Sequence, residues 1–235
     1  DADWWREVVL LGIAKIQRGG LGSAVNAVNT LVPCDPEDMG EEIKLIHWQA
    51  AALAGQALLE MHLKEKSADQ ILYKTIIKRV ATWLVQLIEQ GSLTSRERAE
   101  NGDTLAKLGD PRTGVTTDFL FCEIPAGKFL MGNTKETDSM SDDDEVPQIT
   151  YNKIKSNYYI SRYPITNSQF DLFVNDPAGY SDERWYTDAG KDWRRKALQE
   201  RLPQQGGAFD LPNHPVVNVS WYEAVAFTRW LTNKM

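Results

Sequence analysis

The chain has 235 residues, 42% of them apolar and 25% charged, and a formal net charge of -7. That is enough for one large domain or two ordinary ones, with a composition normal for a soluble globular protein. The acidic balance excludes an electrostatic case for nucleic acid, which needs clustered Lys and Arg. No apolar run reaches the length of a membrane span: Val8 to Ile13 is short and is followed by Lys15, Gln17 and Arg18.

Residues 1–110 read as helices. Asp3 stands where it would cap a first helix through about Arg18, which Gly19-Gly20 stops. A second helix runs from Leu21 to Val32 and ends at Pro33. A third is expected from about Glu41 to Lys64, with Ile43, Ile46, Ala50, Leu53, Ala57 and Met61 on one face. The fourth starts after Ser67 and ends near Gln90-Gly91; its stripe is Ile71, Leu72, Ile76, Val80, Trp83, Leu87 and Ile88. A fifth begins at Thr94, paired with Glu97 in a capping-box pattern, and ends near Leu108-Gly109. Amphipathic helices joined by short loops imply a bundle or a stack of helix hairpins.

Asp110 to Gly114 is turn-rich, so 111–118 is expected to be a linker to a second domain at 119–235. Phe119 to Ile124 and Lys128 to Met131 read as strands, and Pro125-Ala126-Gly127 as the turn that closes them into a hairpin. Thr134 to Val146, which ends in Asp142-Asp143-Asp144-Glu145, is expected to be a mobile surface loop. Val146 to Ile160 ends in a strand-like Tyr158-Tyr159-Ile160, and Thr166 caps a helix through about Val174. Asp176 to Asn213 lacks a period and holds Trp185, Tyr186, Trp193 and Gly206-Gly207; a long aromatic-bearing loop is expected there. Val216 to Val219 reads as a strand. Ser220 caps a last helix whose Trp221 is expected to bury its ring beside that strand.

Ile124-Pro125-Ala126-Gly127-Lys128-Phe129-Leu130-Met131-Gly132-Asn133 resembles the opening of the formylglycine-generating enzyme, or sulfatase-modifying-factor, family. Tyr158-Tyr159-Ile160-Ser161-Arg162-Tyr163-Pro164-Ile165-Thr166-Asn167-Ser168-Gln169-Phe170 and His214-Pro215-Val216-Val217-Asn218-Val219-Ser220-Trp221-Tyr222-Glu223-Ala224 resemble its next two signatures, in family order. The resemblance covers Phe119 to Met235. It implies an α+β protein: an all-α segment followed by an incomplete C-type-lectin-like domain of short strands, two helices and long loops. That fold serves copper-dependent oxidases that convert a sulfatase cysteine to formylglycine, iron-dependent sulfoxide synthases, and ligand-display proteins diversified by retroelements. Fold therefore leaves function open.

The family's catalytic cysteine pair and calcium-binding loops belong to the C-terminal part of the domain, whose signatures are not found here. Cys34 lies outside the domain and Cys122 in its first strand, so no catalytic, copper-binding or calcium-binding residue carries over. Copper or calcium is expected only where that part is present. Segments 54–60, 93–100 and 105–115 resemble the helical linker preceding such domains in bacterial NACHT-type signalling NTPases. The chain itself has no Gly-x-x-x-x-Gly-Lys-Ser/Thr phosphate loop. It begins with Asp1 rather than Met, and so is expected to start inside a longer protein.

The remaining constellations have plainer readings. Two sparse cysteines fit a reducing, cytoplasmic compartment and are expected to be small buried hydrophobes. His47, His62 and His214 have no metal-ligand spacing. Asp142 to Glu145 lacks the EF-hand pattern and reads as a solvated loop. Asn218-Val219-Ser220 matches the glycosylation acceptor pattern but falls inside a family signature. The one basic-aromatic cluster is Arg184, Trp185, Tyr186, Trp193, Arg194 and Arg195, a candidate recognition surface, interleaved with acids and able instead to pack on itself. The leading expectation is a non-catalytic recognition or regulatory module of a larger bacterial signalling or defence protein. It would bind a protein or other domains of the same polypeptide, not nucleic acid or membrane. The alternatives are a fragment of a copper-dependent oxidase and a retroelement-diversified display protein.

Overall fold

A computed structural model describes residues 2–40, 42–62, 71–197 and 209–235. The expected helix boundaries at Glu41, Lys64 and Ser67, and Gly206-Gly207, lie outside the described residues. The architecture is mixed α+β, with a helical segment followed by short strands and further helices. Backbone packing divides it into two compact units, one of residues 1–118 with 165–235, the other of 119–164.

Among the described residues the first segment holds five α-helices: α1 (Ala2–Gly19), α2 (Leu21–Leu31), α3 (Leu45–Glu60), α4 (Ile71–Gln90) and α5 (Ser95–Leu108). A 3-10 turn (Pro36–Asp38) follows α2. The chain is already helical at Ala2, so Asp3 is a first-turn residue rather than the cap. α3 begins at Leu45, later than the periodicity suggests, and its entry is fixed by the Lys44 amide donating to His47 Nδ1 at 3.0 Å. Its core face is Trp48, Ala51, Ala54, Gly55, Ala57 and Leu58, while Ile46 is 62% exposed. The reason is that α3 packs against α1, α2, α4 and α5 at once. A helix apolar nearly all round has no single stripe to read. Gly55 lets these helices close in: a Cβ there would stand 2.8 Å from Thr104 Cγ2 and 3.1 Å from Leu84 Cδ1. Trp83 is buried at the centre, its ring 5.5 Å from that of Trp48 and its Nε1 donating to the Cys34 carbonyl at 2.8 Å. In α4 the buried face is Tyr73, Ile76, Val80, Ala81, Trp83, Leu84 and Leu87; Ile71 and Leu72 are exposed.

The unit at 119–164 holds β1 (Phe121–Ile124), β2 (Phe129–Met131), β3 (Ile149–Tyr151) and β4 (Tyr158–Ser161). The expected β1–β2 hairpin does not form. β1 pairs antiparallel with β4 and β2 with β3, in two separate two-stranded ladders. The turn is bonded to a third segment instead: the Ala126 amide donates to Asn157 Oδ1 at 2.9 Å and the Gly127 amide to the Ile154 carbonyl at 3.3 Å. Gly132 follows β2 with φ +84°, and a Cβ there would meet the Glu145 carbonyl at 2.6 Å, so only glycine fits.

Residues 165–235 supply α6 (Asn167–Asn175), a 3-10 turn (Glu183–Trp185), α7 (Asp188–Ala197) and α8 (Trp221–Lys234). Thr166 and Gln169 form a reciprocal capping box on α6, as Ser220 and Glu223 do on α8. α7 replaces part of the expected long loop; Thr187 Oγ1 accepts from the Gly190 amide at its start, and Arg194, Arg195 and Lys196 fill its last turn. Val216 to Val219 is not a strand beyond an isolated Thr166–Pro215 bridge, because Asn218 turns at φ 60°. Trp221 is consequently 78% exposed rather than buried. Phe170, Phe173, Tyr180, Phe227 and Trp230 form an aromatic core between α6 and α8, with Phe173 5.3 Å from Trp230 and 5.8 Å from Phe227.

Candidate recognition region and its anchoring

Half of the basic-aromatic cluster faces inward. Trp185, Tyr186 and Arg194 are buried, at 8%, 2% and 8% exposure, and drop out of the surface. The Arg194 guanidinium lies 4.9 Å from the Tyr186 ring and 5.4 Å from the Tyr180 ring, and donates to the Ser181 carbonyl at 3.1 Å. A guanidinium is weakly hydrated and planar, so it tolerates burial between rings. Trp185 Nε1 donates to the Ala178 carbonyl at 2.7 Å, and Tyr186 donates its hydroxyl to the Tyr180 carbonyl at 3.1 Å.

Below this layer sits a buried carboxylate that sequence reasoning missed. Glu223 accepts from the Tyr180 hydroxyl at 2.7 Å through Oε1, and from the Ser220 amide at 2.7 Å through Oε2. Burial, reinforced by the Glu223 carboxylate, pushes the Tyr180 hydroxyl far above the ordinary phenol range. Burial likewise pushes Tyr186 up to about 12, against the opposing pull of Arg194. Both phenols therefore stay protonated and act as fixed donors, not as bases. The helix at the other side is locked by Asp176, whose carboxylate accepts from Lys234 and from Trp230 Nε1, each at 2.8 Å; these bonds hold it well below the usual carboxylate range. The one sequence signal for Glu223 was its place three residues after the Ser220 cap.

What remains outside is Arg184, Arg195 and the half-buried Trp193. Arg184 lies 4.5 Å over the Trp185 ring and 2.9 Å from Asp182; Trp193 stands 5.5 Å from the Tyr222 ring. Arg195 pairs with Asp192.

A second polar constellation fastens α5 to the segment before α8. The buried Asp110 accepts from Arg112 Nη2 at 2.6 Å and from Asn213 Nδ2 at 2.9 Å. Asn213 Nδ2 also reaches the Gly102 carbonyl at 3.1 Å, and His214 Nε2 lies 2.8 Å from Asp103 Oδ1. Burial of Asp110 works against its charge, but the bonds from Arg112 and Asn213 outweigh it and the carboxyl titrates below the usual range. Alongside, Gln169 Nε2 donates to the Gly114 carbonyl at 3.0 Å and Thr166 Oγ1 to the Val115 carbonyl at 2.7 Å. The turn-rich stretch after α5 is thereby tied on both sides.

The expectation that both cysteines are buried is corrected. Cys34 is half-buried and Cys122 is exposed on β1. These are the chain's only thiols, and they belong to different compact units. Residues 119–235 hold only one of them, Cys122, so that stretch supplies no thiol pair for copper of the formylglycine-generating type, and no step through copper is derived. In the acidic loop the Asp143 side chain points to solvent and pairs only loosely with Lys135, at 3.7 Å. Among the described residues no three His, Cys, Asp or Glu side chains gather as a metal site, and no helix is long and apolar enough to cross a membrane.

Residues 111–235, more than half of the chain, match the sulfatase-modifying factor enzyme 1-like domain. The chain belongs to this family. The sulfatase-modifying-factor region is 30% identical over 142 residues to the formylglycine-generating enzyme of Thermomonospora curvata, covering 48% of this chain and 44% of that protein. It is 25% identical over 142 residues to the Bos taurus formylglycine-generating enzyme, covering 48% and 35%. It is 30% identical over 86 residues to the hercynine oxygenase of Mycolicibacterium thermoresistibile, covering 31% and 18%. The match thus spans less than half the length of each of these relatives. The strands, α6 and α8 all fall inside the family region, consistent with a C-type-lectin-like fold.

Proposed function

We propose that this chain is a recognition or regulatory module of a larger cytoplasmic bacterial signalling or defence protein, with no redox chemistry of its own. The observation that carries the reading is that residues 119–235 hold a single thiol, Cys122, exposed on β1, while Cys34 lies in the helical segment. The seam at Asp110 and Asn213 supports it further, since it joins the helical segment to residues 165–235 within one compact unit rather than leaving it a loose tether. In this reading the helical segment is a NACHT-type connector. Arg184, Trp193 and Arg195, held on a rigid aromatic layer, are the contact set for a protein partner or for another domain of the same polypeptide. Neither nucleic acid nor membrane is a partner.

A second reading is that the chain is a fragment of a copper-dependent formylglycine-generating oxidase; the relatives named formylglycine-generating enzyme favour it. One experiment separates the two. The chain is incubated with copper, oxygen and a cysteine-containing sulfatase peptide, and the peptide is followed by mass spectrometry. In parallel, partners co-isolated with the full-length protein are compared with those of an Arg184→Ala, Trp193→Ala, Arg195→Ala variant. An unchanged cysteine, with a partner lost from the variant, supports the module. Formylglycine formed by the chain overturns it.

A further inference from the structure

Helices of the first segment converge on a cavity of about 560 Å³. α3 supplies Ile46, Ala50 and Leu53, spaced four and three residues apart and so on one side of the helix. These three belong to the apolar stripe that the sequence offers as a core face, yet none of them is among the residues α3 buries. α1 adds Val9, and Leu31 comes from the end of α2. Part of the apolar pattern of this segment therefore lines a space instead of filling one.

The remaining wall is α5, through Glu97, Glu100 and Asn101. Asn101 is 4% exposed, and its Nδ2 donates to the Glu97 carbonyl at 2.8 Å, which fixes the orientation of the amide. Its Oδ1 is thereby left buried, with no hydrogen-bond partner among the described residues. A buried acceptor in that state is costly, and what relieves it is a donor. The charges at the cavity balance. Two carboxylates, Glu97 and Glu100, are offset by Arg6, whose Nε donates to Gln56 Oε1 at 2.8 Å, and by Arg96, which pairs with Glu100 at 3.1 Å.

We infer that this cavity is a binding site for an uncharged, largely apolar organic molecule with one N–H or O–H donor, which Asn101 Oδ1 accepts. Its volume falls within the range of small-molecule sites, which are mostly apolar with a few placed polar groups. The balanced charges favour neither an anion nor a cation, so the single unmet hydrogen bond sets the preference. The site lies in the helical segment, outside the family match at 111–235. It goes beyond the proposed function and holds whichever reading of the family region is right.

The test titrates the 235-residue chain with carbazole, a flat uncharged fluorophore with one N–H, and with N-methylcarbazole, in which a methyl group replaces that hydrogen. Carbazole is expected to bind saturably and about tenfold more tightly than its methylated analogue. Asn101→Leu should erase that difference and leave both probes at the weaker affinity. Asn101→Leu also removes the bond to the Glu97 carbonyl, so a second variant is read beside it: Ala50→Trp, at a half-buried position, should fill the cavity and abolish binding of both probes. Equal affinities of the two probes for the unsubstituted chain overturn the inference, as does the absence of saturable carbazole binding. So does a preference for carbazole that survives Asn101→Leu, or binding that survives Ala50→Trp. An ordered water that stays on Asn101 Oδ1 in crystals soaked with carbazole also overturns it, by showing that solvent meets the acceptor.

Discussion

The helical segment and the strand unit use apolar residues in opposite ways. Across 2–108, Trp83, Leu58, Ile76, Leu84, Leu87 and Leu105 are fully enclosed, and even a glycine is pressed against side chains of two other helices. Across 119–164, residues just as apolar, such as Leu130, Tyr159 and Ile160, stand more than half exposed on short ladders. Local periodicity assembles the first region from neighbours in sequence, whereas the second consists of pairings that enclose nothing by themselves. Apolar content alone therefore says nothing about where stability resides.

Substitutions can break or sharpen that contrast. The largest effect is expected for Trp83→Ala, which removes an enclosed ring and orphans the Cys34 carbonyl: about 3–5 kcal/mol lost in urea unfolding of the chain. Gly55→Val should cost about 1–3 kcal/mol by forcing the helix apart from Thr104 and Leu84. Asp110→Asn, in the seam, should cost about 1–3 kcal/mol at neutral pH. Its pH dependence has a fixed sign. The carboxyl titrates lower folded than unfolded, so its stabilisation is complete above about 3.9 and is lost as pH falls through the folded value. The gap between wild type and Asp110→Asn should therefore close in acid. Smallest of all, Ile160→Ala and Trp221→Ala in the 235-residue chain should each change stability by no more than about 0.5 kcal/mol.

Sequence reading reached the parts governed by local chemistry. The caps at Thr94, Thr166 and Ser220 were legible because a cap and its reciprocal partner lie three residues apart. The stops at Gly19-Gly20 and Pro33 were legible because glycine and proline end a helix through their own backbones. The buried face of α3 was not, because four neighbours demand apolar residues on several sides. The hairpin failed because its Pro-Ala-Gly turn looks the same whether it closes β1 on β2 or bonds to residues 154–157; only the distant β4 decides. In the basic-aromatic cluster, Trp185, Tyr186 and Arg194 are buried where the sequence offered a surface. Aromatic rings beside arginines suit a ligand and a core equally, and the arbiter, Glu223, lies 43 residues from the tyrosine it holds.

The contrast between the two regions is tested most directly by native-state hydrogen exchange on the 235-residue chain. Amides of α4 from Ile76 to Leu87 are predicted to exchange only through global unfolding, and those of β1 and β4 through local opening at far lower free energy. Equal protection of the helix and the strands would contradict the account.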